Sequence, residues 1–197
     1  MSDSYLIRAI IPVTKVFEEL NVAYYISGSV ASSAYGMARA TMDVDCVSNL
    51  SQEKVLSFIE MLKKDYYADE ETIRQAIEKS ASFNLIHLET MFKVDIFIAR
   101  KRPYEQESLG RRKKDSLDED QDVPKVYLAT PEDVVLSKLD WFQQGGGVSE
   151  KQWDDILGIL KVQKERLDLN YLKHWAEELG LLELLTKAFS EAKCYDI

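Results

Sequence analysis

The stretch Ile26-Ser27-Gly28-Ser29-Val30-Ala31, followed by Arg39-Ala40-Thr41-Met42-Asp43-Val44-Asp45, decides how the rest of the chain is read. An apolar run ends in a Gly-Ser turn, and two aspartates one residue apart then enter a second apolar run. Side chains alternate along a strand, so Asp43 and Asp45 point to one face. Carboxylates side by side repel each other unless a cation sits between them. A divalent metal is the economical reason to keep both, and a glycine turn nearby is where a phosphate chain approaches the backbone.

A third acid stands further along. Phe92, Val94, Ile96 and Ile98 alternate with Lys93, Asp95, Phe97 and Ala99, which predicts a strand in a hairpin with Phe83 to Leu88. Asp95 is the one acidic residue of that apolar strand. If the two strands are neighbours, Asp43, Asp45 and Asp95 converge on one point. That arrangement suits a pair of Mg²⁺ ions clamping the attacking and leaving oxygens of an in-line displacement, with Mn²⁺ as the alternative metal.

Gly28-Ser29 with Asp43-x-Asp45 resembles the signature of the DNA polymerase beta type nucleotidyltransferase superfamily. The Arg39-x-Thr41-x-Asp43-x-Asp45 version resembles its small bacterial members, among them the abortive-infection type enzymes and, more distantly, aminoglycoside nucleotidyltransferases. The resemblance implies metal-dependent transfer of a nucleoside monophosphate from an NTP to an acceptor, with release of pyrophosphate. Asp43, Asp45 and Asp95 are the implied metal ligands and catalytic residues, the third either binding the catalytic metal or serving as base on the acceptor hydroxyl. Gly28 and Ser29 would cradle the triphosphate through backbone amides and the serine hydroxyl. Thr41 shares the face of the acids, as does Arg39 if the strand starts early, with Arg39 on phosphate or in an ion pair with Asp43 or Asp45.

The second half carries a looser likeness. Glu132-Asp133-Val134-Val135-Leu136-Ser137-Lys138-Leu139 resembles the segment where the abortive-infection type keeps a lysine, here Lys138. Trp153-Asp154-Asp155-Ile156 resembles its later acidic motif, with Asp155 as the better match. The Arg-x-Lys-Asp pattern expected ahead of that motif is replaced by Glu150-Lys151-Gln152-Trp153. Lys138 would reach the nucleotide as a point charge, or pair with Asp155 in an inter-helix salt bridge.

The bulk properties bound the partners. The chain has 197 residues, 46% hydrophobic and 30% charged, enough for one packed domain with a helical appendage. Its net charge of -9 argues against holding nucleic acid by bulk electrostatics, though a small basic spot such as Arg111 to Lys114 would serve an RNA end. An acidic surface suits a cationic small molecule better than a long polyanion. The acceptor is therefore open among a small molecule, an RNA end and a protein. Cys46 and Cys194 lie too far apart in sequence to suggest a disulfide framework, and neither His87 nor His174 has a zinc-like neighbour. The polar start Met1-Ser2-Asp3-Ser4 and the lack of a membrane-length apolar run make the cytoplasm the expected compartment.

The expected fold class is α/β (α+β): a nucleotidyltransferase-type mixed sheet flanked by helices, followed by a C-terminal helical domain. Residues 1–103 form the expected catalytic domain, 104–125 a charged connector, and 126–197 the helical domain. Thr130-Pro131-Glu132-Asp133 is a strong helix start, and Ser149-Glu150-Lys151-Gln152 another. Gly36 is expected to end the short helix after Gly28. The alternative function is a non-catalytic nucleotide- or partner-binding module of the same fold, such as a toxin–antitoxin component. An exposed apolar face at Leu181-Leu182-Glu183-Leu184-Leu185 would favour it, and a buried one is the commoner case.

Overall fold

A computed structural model describes residues 2–37, 40, 41, 43–117 and 123–193. Among these the fold is mixed α/β, with a seven-stranded mixed sheet and nine α-helices. The chain falls into two compact units, Met1–Ser27 with Ala40–Leu128, and Gly28–Arg39 with Ala129–Ile197.

The first unit holds the sheet. Its strands are β1 (Tyr24–Ile26), β2 (Asp43–Ser48), β3 (Tyr66–Tyr67), β4 (Ser82–His87), β5 (Lys93–Ile98), β6 (Lys113–Asp115) and β7 (Val126–Leu128). Their spatial order is β3-β4-β5-β2-β1-β7-β6. β2 pairs parallel with β5 and β1 parallel with β7, and the other pairs are antiparallel. The helices of this unit are α1 (Ser2–Glu19), α3 (Val55–Leu62), α4 (Glu70–Lys79) and α5 (Pro103–Arg111). α1 packs against α3, β2 and β5. It runs through Pro12, which neither starts nor ends it.

Alternation sets which face meets the core. Val44, Cys46, Val94 and Ile96 are fully buried. Phe17 of α1 and Phe58 of α3 stack with centroids 5.1 Å apart, and Phe17 stacks on Tyr24 at 5.6 Å. The intervening residues Asp43, Asp45 and Asp95 are therefore left on the opposite, half-exposed face. Tyr25 of β1 is buried, and its hydroxyl lies 3.4 Å from the Ser108 hydroxyl of α5.

The stretch read as a charged connector carries regular structure. Pro103 opens α5, Arg102 pairs with Glu105, and Tyr104 and Leu109 are buried. β6 then forms a sheet edge that is wholly exposed and charged, a composition that discourages edge-to-edge association. Arg112, just before β6, and Lys114 within it have partners in the scaffold. The Arg112 guanidinium lies 4.6 Å from the Tyr127 ring centroid, and Lys114 pairs with Glu18 at 3.3 Å.

The second unit is helical: α2 (Gly28–Tyr35), α6 (Pro131–Gln144), α7 (Glu150–Gln163), α8 (Leu169–Glu178) and α9 (Leu182–Ala192). Thr130 caps α6 by accepting from the Asp133 N–H, and its hydroxyl donates to Asp133 Oδ2 at 2.7 Å. The buried Asp133 also accepts from the Tyr171 hydroxyl at 2.7 Å, and the buried Glu132 accepts from the Asp168 N–H at 2.9 Å. Those first-turn acids thus tie the start of α6 to that of α8, besides complementing the helix dipole. Leu181 and Leu185 are buried core rather than an exposed apolar face.

Gly36 does not end α2 through a left-handed conformation, since its φ is not positive. A Cβ there would sit 3.1 Å from the Ile159 backbone nitrogen and 3.2 Å from the Gly158 carbonyl carbon. Its role is the close approach of α2 to α7.

Candidate active site

The site grows out of one ladder. β2 and β5 run parallel in a register that sets Asp43 opposite Lys93 and Asp45 opposite Asp95. Register partners leave the same face, so three carboxylates and one ammonium occupy the corners of a small rectangle. Its long side is about 6.6 Å, two residues of strand, and its short side about 4.8 Å, one strand spacing.

Each corner is held by something identifiable. The Thr41 hydroxyl donates to Asp43 Oδ1 at 2.8 Å. The Ser27 N–H donates to the Asp45 carbonyl oxygen at 2.9 Å, fixing the strand beneath that carboxylate. Lys93 Nζ lies 2.7 Å from Asp95 Oδ2. The Asp95 hydrogen bond holds the Lys93 amine above its ordinary pKa, helped by the negative charges of Asp95, Asp43 and Asp45 and opposed by partial desolvation. Cys46, behind Asp45 in the core, has its thiol pushed up first by burial and then by the Asp45 charge.

The donor set is chemically suited to a hard divalent cation, being three carboxylates with no sulfur or imidazole. It is not drawn into a closed cage: among the described residues, no group of three or more His, Cys, Asp and Glu side chains is placed to hold a metal ion. The Lys93 ammonium already neutralises one of these acids.

The other expected site residues fall as follows. Gly28 opens α2 at φ 58°, a conformation glycine adopts without strain, and its carbonyl accepts from the Ser32 hydroxyl at 2.6 Å. Ser29 follows in the same helical turn. Within the second unit Lys138 Nζ meets Asp155 Oδ2 at 2.8 Å, with each side chain only 9% exposed. The two residues singled out on α6 and α7 are thus partners of each other. Arg39 lies outside the described residues. Lys93 is the one member of the rectangle that sequence reasoning did not single out. Its signal was present, a cation two residues before Asp95 in strict alternation.

No family model matches the chain, and no curated protein matches it. Solved structures do. The solution structure of the antibiotic-resistance factor ANT(2'')-Ia superposes with a TM-score of 0.54 at 15% identity, over 96% of this chain and 95% of that one. The crystal structure of ANT(2'')-Ia with adenylyl-2''-tobramycin gives 0.58 at 11% identity, over 89% of this chain and 97% of that one. An antigenic nucleotidyltransferase-like protein from Paracoccidioides brasiliensis gives 0.53 at 16% identity, over 95% and 92%.

The fold is that of a nucleotidyltransferase. At these identities the likeness concerns the backbone alone. No helix of the described residues is long and apolar enough to cross a membrane.

Proposed function

We propose that the protein is a metal-dependent nucleotidyltransferase that moves an NMP group from an NTP to an acceptor and releases pyrophosphate. The observation that carries this is the register of Asp45 against Asp95, with Asp43 on the same face, in a nucleotidyltransferase fold. Asp43, Asp45 and Asp95 would hold Mg²⁺ or Mn²⁺, which when bound neutralises phosphate charge and polarises the reacting phosphorus.

The chain's own residues do the rest. Gly28 and Ser29 bind the triphosphate through backbone N–H groups and the serine hydroxyl, in a backbone conformation already set in the protein. Thr41 fixes the Asp43 carboxylate so that little reorganisation is needed at the moment of reaction. Arg39 adds positive charge for the phosphates. The acceptor oxygen attacks the α-phosphorus in line, the bond to the bridging oxygen breaks, and pyrophosphate leaves with that electron pair. Asp95 takes the acceptor's proton. Lys138 and Asp155 are assigned to the scaffold, since Lys138 would have to abandon a buried partner to meet a nucleotide.

The acceptor is proposed to be a small molecule with cationic groups. A net charge of -9 opposes a long polyanion and attracts a cation. A neighbouring structure of the same fold was solved with an adenylylated aminoglycoside, adenylyl-2''-tobramycin.

Calorimetric titration of each NTP with Mg²⁺ tests the proposal, on wild type and on Asp43→Ala/Asp45→Ala. Magnesium-dependent binding that vanishes in the double variant supports the site and names the base. Folded wild type that binds no NTP moves a non-catalytic module of this fold to first place.

A further inference from the structure

We propose that Lys93 is a built-in counter-ion of the carboxylate site, holding Asp95 in the metal-free protein and giving way when a divalent cation binds. The inference rests on the reading of Asp43, Asp45 and Asp95 as a metal site and says how that site is kept in its absence.

Three observations carry it. Lys93 is the register partner of Asp43 and the same-strand, same-face neighbour of Asp95, so one ammonium stands among three acids. It is bonded to Asp95 at 2.7 Å. Its side chain is 47% exposed against 19% for Asp95, so the cation sits on the solvent side of the carboxylate it neutralises. A long flexible stem on the solvent side can withdraw without disturbing the sheet, because the ammonium is solvated when it leaves.

The chemistry explains why the device is needed. Without any cation, three carboxylates within two residues of one another on a single face would repel, raising their proton affinity and splaying the strand pair. A covalently attached ammonium prevents that while no metal is bound. It also sets a threshold, because the entering dication must displace one positive charge and then remain near it.

Replacement of Lys93 by methionine keeps much of the stem and removes the charge. Mn²⁺ binding, followed by calorimetry and by the loss of free Mn²⁺ paramagnetic signal, is expected to become about five- to tenfold tighter in Lys93→Met. That is the scale of one unit charge moved several ångströms from a dication in a water-like medium. Lys93→Arg keeps the charge and is expected to bind as wild type does. Without metal, Lys93→Met is expected to melt at a lower temperature than wild type, and the same change in an Asp95→Asn background to have little effect.

Wild type that binds Mn²⁺ with Lys93→Met binding no tighter would overturn the counter-ion role while leaving the metal site standing. Folded wild type, Lys93→Met and Lys93→Arg that all fail to bind Mn²⁺ would overturn the metal site and the exchange together.

Discussion

Asp45 and Asp95 are register partners on adjacent parallel strands, and their side chains leave the same face of the sheet. Paired acids on a sheet face disfavour folding, and strand partners are normally chosen to avoid them. The arrangement makes sense as a charge store for a cation, which predicts a separation of activity from stability. Asp45→Asn, isosteric and half-buried, is expected to lower nucleotidyl transfer by about a hundred- to a thousandfold or more. Stability should stay level or rise by up to about 1 kcal/mol, because one of two facing like charges is removed. Pyrophosphate release beside urea unfolding reads both. Retained turnover, or a loss explained by unfolding, counts against the site.

Lys138 and Asp155 make the opposite case, a charged pair whose burial ties it to the fold. Both side chains are 9% exposed, so removing one partner strands a charge in a low-dielectric setting. Lys138→Met is expected to cost about 3–5 kcal/mol in urea unfolding, and Lys138→Met/Asp155→Leu to recover most of it. NTP affinity in the double variant decides between scaffold and ligand contact. An unchanged dissociation constant fits the scaffold role, and a tenfold or larger loss with stability restored returns Lys138 to the triphosphate.

The contrast marks what the sequence could disclose. Asp43, Asp45 and Asp95 were legible because strand alternation is local: an acid out of phase with Val44, Cys46, Val94 and Ile96 must face away from the core. The helices α6 and α7 were legible from Thr130 and Ser149, each of which accepts from an N–H in its helix's first turn. What escaped depends on distant partners. α5 and β6 look like solvated charge until Arg112 is seen over Tyr127 and Lys114 beside Glu18. β7 is only three residues long and exists by pairing with β1 and β6. The significance of Lys93 is not visible without the parallel β2–β5 register, which no local pattern announces.

Gly36 gives a steric prediction of the same non-local kind. Its missing Cβ is what lets α2 approach α7, with Ile159 N at 3.1 Å and Gly158 C at 3.2 Å from where that carbon would be. Both are backbone atoms and cannot rotate away. Gly36→Ala is expected to cost about 1–3 kcal/mol by overpacking. Gly158→Ala across the same contact meets Met37 at 3.7 Å, an ordinary distance, and gains helix propensity. It is expected to be neutral or stabilising by up to about 1 kcal/mol. Thermal melts of the two variants check the difference, and equal effects would mean the helices have room to separate.

Cys46 supplies a pH prediction whose sign follows from its surroundings. The thiol is fully buried on β2 beside Asp45, and burial, then that charge, keep it protonated in the folded protein well above its ordinary range. An unfolded cysteine ionises near about 8.5. Between that value and the raised folded pKa the unfolded chain binds fewer protons than the native one, so stability falls as pH rises. The contribution is complete below about 8.5 and is lost progressively above it. Native protein at pH 9 should therefore resist iodoacetamide at Cys46, while urea-unfolded protein alkylates there, as read by mass spectrometry of the Cys46 peptide. The urea midpoint should fall between pH 8 and pH 10 by less in Cys46→Ala than in wild type. Native Cys46 that alkylates at the unfolded rate would place the thiol in solvent and remove the basis for both effects.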